Sequence, residues 1–328
     1  MSRLRRDLLA VLTIAALLAA GCGTTEDALP EDDAATGDPV TFTDSRGKEI
    51  TLDAPAQRVV ALEWGEAEML VTLGVMPVGV ADVAGYGTWV SAAPLDADVV
   101  DVGTRQEPSV DAVVELEPDL VVMEGTSGAP LASQLEEYVP VLVTTSSDAS
   151  RNLDRMREDF RLLATAVGKV EQAEQILADF DAALAEGRQA IADAGAEGAP
   201  FTMADGWMEG SSVAIRMFGP GALVSQVGIE LGLRNAWEGE VDPVWGLGNT
   251  DVEGLTALAD EEDLRFLYNA SGEEDVFADG LAGHAIWESL PFVAQGNVHK
   301  LTDGIWTFGG PASCEQYLNE LVRIFTTE

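Results

Sequence analysis

Apolar positions along this chain follow two alternating periods. Short runs rich in β-branched residues, at 59–62, 78–81, 120–123 and 141–143, are separated by stretches at 67–73, 110–116 and 131–138 whose apolar residues lie three and four apart. The first pattern belongs to buried strands and the second to amphipathic helices, so the alternation predicts βαβ units and a mostly parallel sheet covered by helices. From Asn152 to Ala194 the pattern becomes continuous: Ala, Leu, Glu, Asp, Gln and Arg dominate, proline is absent, and only Gly168 and Gly187 interrupt. That composition is helical. Val170, Ala173, Ile176, Leu177, Phe180 and Leu184 form one apolar stripe, which over so few heptads fits a connector packed across a globular body better than a coiled-coil arm. After residues 195–200 the alternation resumes at 201–204, 213–218, 222–231, 252–258, 264–268 and 298–301, and closes with a helix over 311–325.

The two flanks echo each other. Ser109, Val110 and Asp111 open a helix with apolar Val113 and Leu116 and then a strand from Asp119; Asp251, Val252 and Glu253 open another with Leu255 and Leu258 at the same offsets and then a strand from Asp263. Each begins on a residue suited to N-capping. The expected architecture is an α/β protein of two similar Rossmann-like lobes joined by one long helix. Its N-terminal lobe covers 40–168, the connecting helix 169–195 and the C-terminal lobe 196–328, with a binding-protein body of about 58–328.

The N-terminus changes the picture by giving an address. Arg3, Arg5 and Arg6 precede an apolar run of 13 residues from Leu8 to Ala20, short of the roughly 20 that span a bilayer, as in an export signal. The segment ends in Ala19-Ala20-Gly21-Cys22 and resembles a bacterial lipoprotein signal, with Ala19 where leucine is usual. That resemblance implies removal of residues 1–21 and lipid attachment at Cys22; a conventional signal cut near Ala20 is the alternative. Residues 23–39 are small, acidic and turn-forming, the composition of a flexible tether. The expected location is extracytoplasmic, lipid-anchored to the cell membrane.

Charge removes several function classes. The chain has 18 Lys+Arg and 57 Asp+Glu; without residues 1–21 it loses three Arg and Asp7, leaving 15 against 56, a net charge of −41. A surface this acidic repels nucleic-acid phosphates and bare anions. With Cys22 used for lipid, Cys314 has no intramolecular partner and reads as a free thiol in the last helix. No phosphate loop, H-E-x-x-H, G-x-S-x-G or C-x-x-C motif occurs, and two histidines, His284 and His299, cannot make a three-histidine metal site. Oxygen-only sites stay open amid so many carboxylates. What remains is aromatic: seven tryptophans, several in glycine-rich segments that read as loops at strand ends, including Trp89 beside Tyr86, Asp205-Gly206-Trp207, Trp245 and Trp306 beside Phe308. Ligands of open α/β sheets bind beyond the carboxyl ends of strands, so these are candidate pocket walls, although core packing explains any single one equally well. Arg105, just before a helix, can reach a cleft or pair with an acidic neighbour.

The segments RVVALEWGEAEML (58–70) and LGVMPVGVAD (73–82) closely resemble the opening of iron-siderophore substrate-binding proteins of ABC importers, especially the ferric hydroxamate binders. VGTRQEP (102–108), FGP (218–220), NAWEGE (235–240), PFV (291–293) and IWTFGG (305–310) are similar to that family in the same order, so the likeness covers about 40–328. The resemblance implies two lobes on a rigid helix, a shallow cleft with slight closure, no catalysis and no cofactor, the ligand carrying its own Fe(III). It implies that Arg105 donates to iron-bound hydroxamate oxygens and that Trp245 and Trp306 wall the pocket. Tyr86 and Trp89 are further wall candidates and Arg216 a second cationic donor. Two departures narrow the pocket's hydroxyl donors: Ser127 and Phe308 stand where the family carries tyrosines. The implied partners are a ferric siderophore and an inner-membrane ABC permease, with the protein acting as a monomer. Haem, cobalamin or a catecholate siderophore are alternative ligands within the family. A secreted hydrolase using carboxylate pairs is the alternative from another class.

Overall fold

The computed structural model describes residues 37–125, 129–272 and 274–327; the signal segment, Cys22 and Ser127 lie outside the described residues. An antiparallel pair, β1 (Val40–Thr43) and β2 (Glu49–Leu52), leads into a wholly parallel sheet. Its strands are β3 (Val59–Ala61), β4 (Gly79–Val80), β5 (Val100–Asp101), β6 (Leu120–Glu124) and β7 (Val141–Thr144), ordered β5-β4-β3-β6-β7. The three strands β3, β6 and β7 are buried at every position, as expected when helices cover both faces of a sheet. Those helices are α1 (Trp64–Thr72), α2 (Val83–Trp89), α3 (Val110–Glu115), α4 (Ala129–Leu135) and α5 (Asn152–Ala166). Val60, Val121 and Val143 pack on one side with Val113 and Leu135; Val59, Leu120, Val122 and Leu142 belong to a larger core on the other.

Gly168, at φ +69°, ends the first helical run, and α6 (Val170–Asp193) follows, about 36 Å long at 1.5 Å per residue. Its buried stripe is Ala173, Leu177, Phe180 and Leu184, continuing through Gly187 to Ile191. Val170, assigned to the stripe from spacing, is exposed because it is the first residue of the helix. The helix packs against α5 on one side and against α7 (Leu223–Glu230) and α10 (Pro311–Thr326) on the other. A Cβ at Gly187 would lie 2.7 Å from Leu231 Cδ2, so glycine sets this close approach.

The second sheet contains β8 (Pro200–Glu209), β9 (Ser212–Phe218), β10 (Arg234–Asn235), β11 (Leu247–Thr250), β12 (Arg265–Tyr268) and β13 (Val298–Lys300). It is ordered β11-β9-β8-β12-β13, with β10 beside β8. Strands β8, β10, β12 and β13 run parallel, and β9 alone runs against them, antiparallel to both its neighbours β8 and β11. The loop expected at Asp205-Gly206-Trp207 is instead strand: β8 runs through it to Glu209 and turns back into β9 as a hairpin at Gly210, φ +64°. Too few residues separate the two runs for the dozen or more that a parallel crossover needs, so the chain can only fold back. The helix expected at 252–258 is likewise reduced to one 3₁₀ turn, Gly254–Leu258, whose Gly254 N–H donates to Asp251 at 2.9 Å. The echo between lobes survives in the backbone: Glu117 (φ +48°) and Asp263 (φ +57°) make the same left-handed step before β6 and β12. Short helices α8 (Ala285–Ser289) and α9 (Pro291–Ala294) complete the lobe. A single core runs from Leu70 and Phe160 through Phe180 to Phe201, Tyr317 and Leu321, joining both sheets to α6.

Candidate functional site

Beyond the carboxyl ends of the N-terminal strands a cavity of about 630 Å³ separates the lobes. Glu63, Glu66, Met69, Arg105, Gln106, Glu124, Ser146 and Asp159 line one side; Arg216, Trp245, Leu247, Trp306, Phe308 and Gly309 line the other. Each lobe contributes one arginine held side-on by its own carboxylate. Arg105 Nε donates to Glu63 Oε2 at 2.9 Å while Nη2 meets Oε1 at 2.6 Å. Arg216, on β9, engages Asp205, its cross-strand neighbour on β8, through Nε at 2.9 Å and through Nη2. Both guanidinium groups lie over aromatic rings: Arg105 at 4.2 Å from the Trp64 centroid and 5.4 Å from that of Trp306, Arg216 at 5.3 Å from Phe308 and 5.7 Å from Phe218. Stacked and paired, each arginine is fixed, with Nη1 the edge not committed to the carboxylate.

Local sequence places these groups. Glu63 follows β3, and its carboxylate accepts the Trp64 N–H at 3.0 Å, capping α1 while holding Arg105. The Arg105 loop is shaped by Gly103 at φ +109° and by Thr104, whose hydroxyl accepts the Glu107 N–H at 3.0 Å. Trp245 rides on a turn organised by Asp242, which accepts the N–H groups of Val244, Trp245 and Leu247 at 2.9, 2.7 and 2.9 Å. Burial opposes ionisation of Asp242, but these three bonds outweigh it and hold its carboxyl below the usual range. The rings interlock: Trp64 to Trp306 at 5.0 Å, Trp306 to Phe308 at 5.2 Å, Phe308 to Trp245 at 5.6 Å.

Glu63, Glu66 and Asp159, which line the cavity, have carboxyls shifted upward. Glu66 accepts the hydroxyls of Thr144 at 2.5 Å and Ser146 at 2.8 Å, yet burial and then the charge of Glu63 push its carboxyl up to about 7. Burial also raises Glu63, against the pull of Arg105, and Asp159, against Arg155. Ser146 adopts φ +61°, a left-handed conformation uncommon for serine, and its N–H donates to Asp159 at 2.8 Å.

Five sequence candidates, Arg105, Arg216, Trp245, Trp306 and Phe308, therefore meet at one cavity. Tyr86 does not. It is fully buried in α2 and donates to the Ala93 carbonyl at 2.6 Å, so the wall assignment is corrected to a core residue. Trp89 stands behind the wall, its ring 6.2 Å from that of Trp306. His284 and His299 are both outside the lining. Sequence reasoning missed Glu63, Glu124 and Ser146, although their positions at or just after the ends of β3, β6 and β7 are a signal of cleft residues in such sheets, and it missed Glu66 in the first turn of α1. Asp159, on the inner face of a charged helix, carried no such signal. Among the described residues, no group of three or more His, Cys, Asp or Glu is arranged to hold a metal ion.

Two α/β lobes gripping a cavity at their join, with one long helix bracing both, define a two-lobed solute-binding protein. The chain belongs to the periplasmic binding protein family, whose sequence model matches residues 59–303. The iron(3+)-hydroxamate-binding protein FhuD of Escherichia coli (strain K12) is 29% identical over 264 residues, 80% of this chain and 85% of that one. The probable siderophore-binding lipoprotein YfiY of Bacillus subtilis (strain 168) is 22% identical, covering 97% of both chains. The crystal structure of Fe3+-Desferal-bound FhuD from Vibrio cholerae superposes with a TM-score of 0.68 at 24% identity, covering 83% of this chain and 98% of that one.

Proposed function

We propose that this protein is the substrate-binding component of an ABC importer, capturing an iron-siderophore complex of hydroxamate type outside the membrane and delivering it to the permease. The observation that carries this reading is the pair of arginines, one from each lobe, fixed by carboxylates and framed by aromatic walls around a cavity sized for a small molecule. A ferric trihydroxamate arrives with its iron fully wrapped, so the protein need supply no metal ligands and catalyses nothing. Its iron-bound oxygens carry partial negative charge, which Arg105 and Arg216 meet with charge-assisted bonds worth roughly 1.5 to 3 kcal/mol each. Trp245, Trp306 and Phe308 cover the organic part. The relatives named for hydroxamate and siderophore binding support the same cargo.

A haem ligand would call on an axial histidine or tyrosine, and among the described residues neither type lines the cavity. A trianionic catecholate complex would face Glu63, Glu66, Glu124 and Asp159 with only two lining arginines. Both features favour the neutral hydroxamate core. In this reading Cys22 carries the lipid, the chain acts as a monomer, and the tether keeps the receptor near its permease, raising its effective concentration there.

Tryptophan-fluorescence titration of the mature protein with ferric hydroxamates, ferric catecholates, haem and cobalamin tests the proposal. Quenching by ferric hydroxamates is expected, and Arg105→Ala should weaken that binding by roughly tenfold or more, ~1.4 kcal/mol. Quenching by none of the four would sink the reading.

A further inference from the structure

The Asp205-Gly206-Trp207 segment lies within β8, beside the arginine of the C-terminal lobe. Asp205 and Arg216 face each other across β8 and β9, and the next pair on the same face is Trp207 opposite Ala214. The other face is settled independently: a Cβ on Gly206 would meet Val276 and Phe277 at 3.2 and 3.3 Å, within the second core of the C-terminal lobe. The face shared by Arg216 and Trp207 is thus the one that continues outward from the cavity. Along it, Phe218 is buried, Arg216 lines the cavity and Trp207 is 42% exposed, about 7 Å further along the strand than Asp205. Opposite Trp207 stands only the methyl group of Ala214, so no bulky cross-strand neighbour covers the indole.

We propose that Trp207 is the outer wall of the cleft, packing against the organic arms of a ferric hydroxamate that project past the arginine pair. The inference rests on the siderophore reading above and adds a recognition residue to it. An indole offers a large, rigid apolar surface with little rotamer entropy to lose, which suits contact with a flexible aliphatic chain. The inner cavity would then hold the iron centre, and the hairpin would read the periphery that distinguishes one hydroxamate siderophore from another.

Isothermal titration calorimetry separates these roles without depending on tryptophan emission. Ferric Desferal has long connecting arms, whereas tris(acetohydroxamato)iron(III), kept intact by excess acetohydroxamate, presents the same iron centre without them. Trp207→Ala should weaken ferric Desferal roughly five- to twentyfold, leave the small complex within about twofold, and Trp207→Phe should recover most of the loss. Unchanged affinity for ferric Desferal, or an equal loss for both complexes, would overturn the proposal. If the wild-type protein binds neither complex, the siderophore reading itself falls and takes the outer wall with it.

Discussion

Glu66 shows how much one side chain lining the cavity depends on its surroundings. In the unfolded chain its carboxyl has the ordinary value near 4.5, whereas in the fold burial and the neighbouring Glu63 raise it to about 7. Between those values the folded protein keeps a proton that the unfolded chain has released. Stability attributable to this group therefore falls as pH rises through that window and levels off above about 7. The loss is on the order of 3 kcal/mol from a shift of this size. Glu66→Gln keeps an acceptor for Thr144 and Ser146 but cannot ionise, so urea unfolding at pH 5 and pH 8 should show a smaller decline for the variant. Equal declines for both proteins would refute this account. Glu66 lies within the segment that resembles the siderophore binders, but nothing in that segment reveals its proton, which follows from burial alone. Arg105 and Trp306 were legible because their motifs are; Asp205 became visible only when the hairpin set it opposite Arg216.

At the scale of elements, α10 is started by a residue of another helix. Its first N–H groups belong to a buried end that needs acceptors. Gly310 and Ser313 N–H donate to Glu68 Oε2 and Oε1, both at 2.9 Å, and Pro311 occupies a first-turn position where no N–H is needed. Burial raises the Glu68 carboxyl, and the bonds from Ser313 and Gly310 pull it back. Packing is close here: a Cβ on Gly309 would lie 2.1 Å from Glu68 Oε2, and one on Gly65 2.9 Å from the Phe308 carbonyl. Glu68→Ala leaves two buried donors without their acceptor and should destabilise the protein by about 2 to 5 kcal/mol in urea unfolding, with Glu68→Gln losing less. A loss below about 0.5 kcal/mol for the alanine variant would contradict a capping role. From sequence, α10 and its proline start were readable, but not its cap, which comes from 242 residues away.

Across the whole molecule, the lobes are tied as well as touching. Ser147 Oγ donates to the Val244 carbonyl at 2.7 Å, Asn152 Nδ2 to that of Gly221 at 3.2 Å, and the Leu153 N–H to Gln226 at 2.7 Å. Ser91 donates through its N–H and its hydroxyl to the Gly304 carbonyl at 2.8 and 3.0 Å, on a different part of the join. With the common core threaded along α6, rigid-body closure would have to break bonds at several separated places. Small-angle X-ray scattering should thus give the same radius of gyration with and without ferric Desferal. A clear contraction on binding would show that the ties yield.

Alternating periods, the long proline-free run and the ordered motifs were enough to determine an α/β protein of two lobes on a connecting helix, because burial imposes its period on sequence wherever a strand or helix has an apolar face. They also named the arginine and the tryptophans of the cavity. Tertiary structure alone decided that Tyr86 belongs to the core and that Glu63 and Asp205 hold the two arginines. It also decided that Glu66 carries its proton to near neutrality. These features depend on which distant residues meet and on how completely water is excluded between them, and neither quantity is written in the local pattern of the chain.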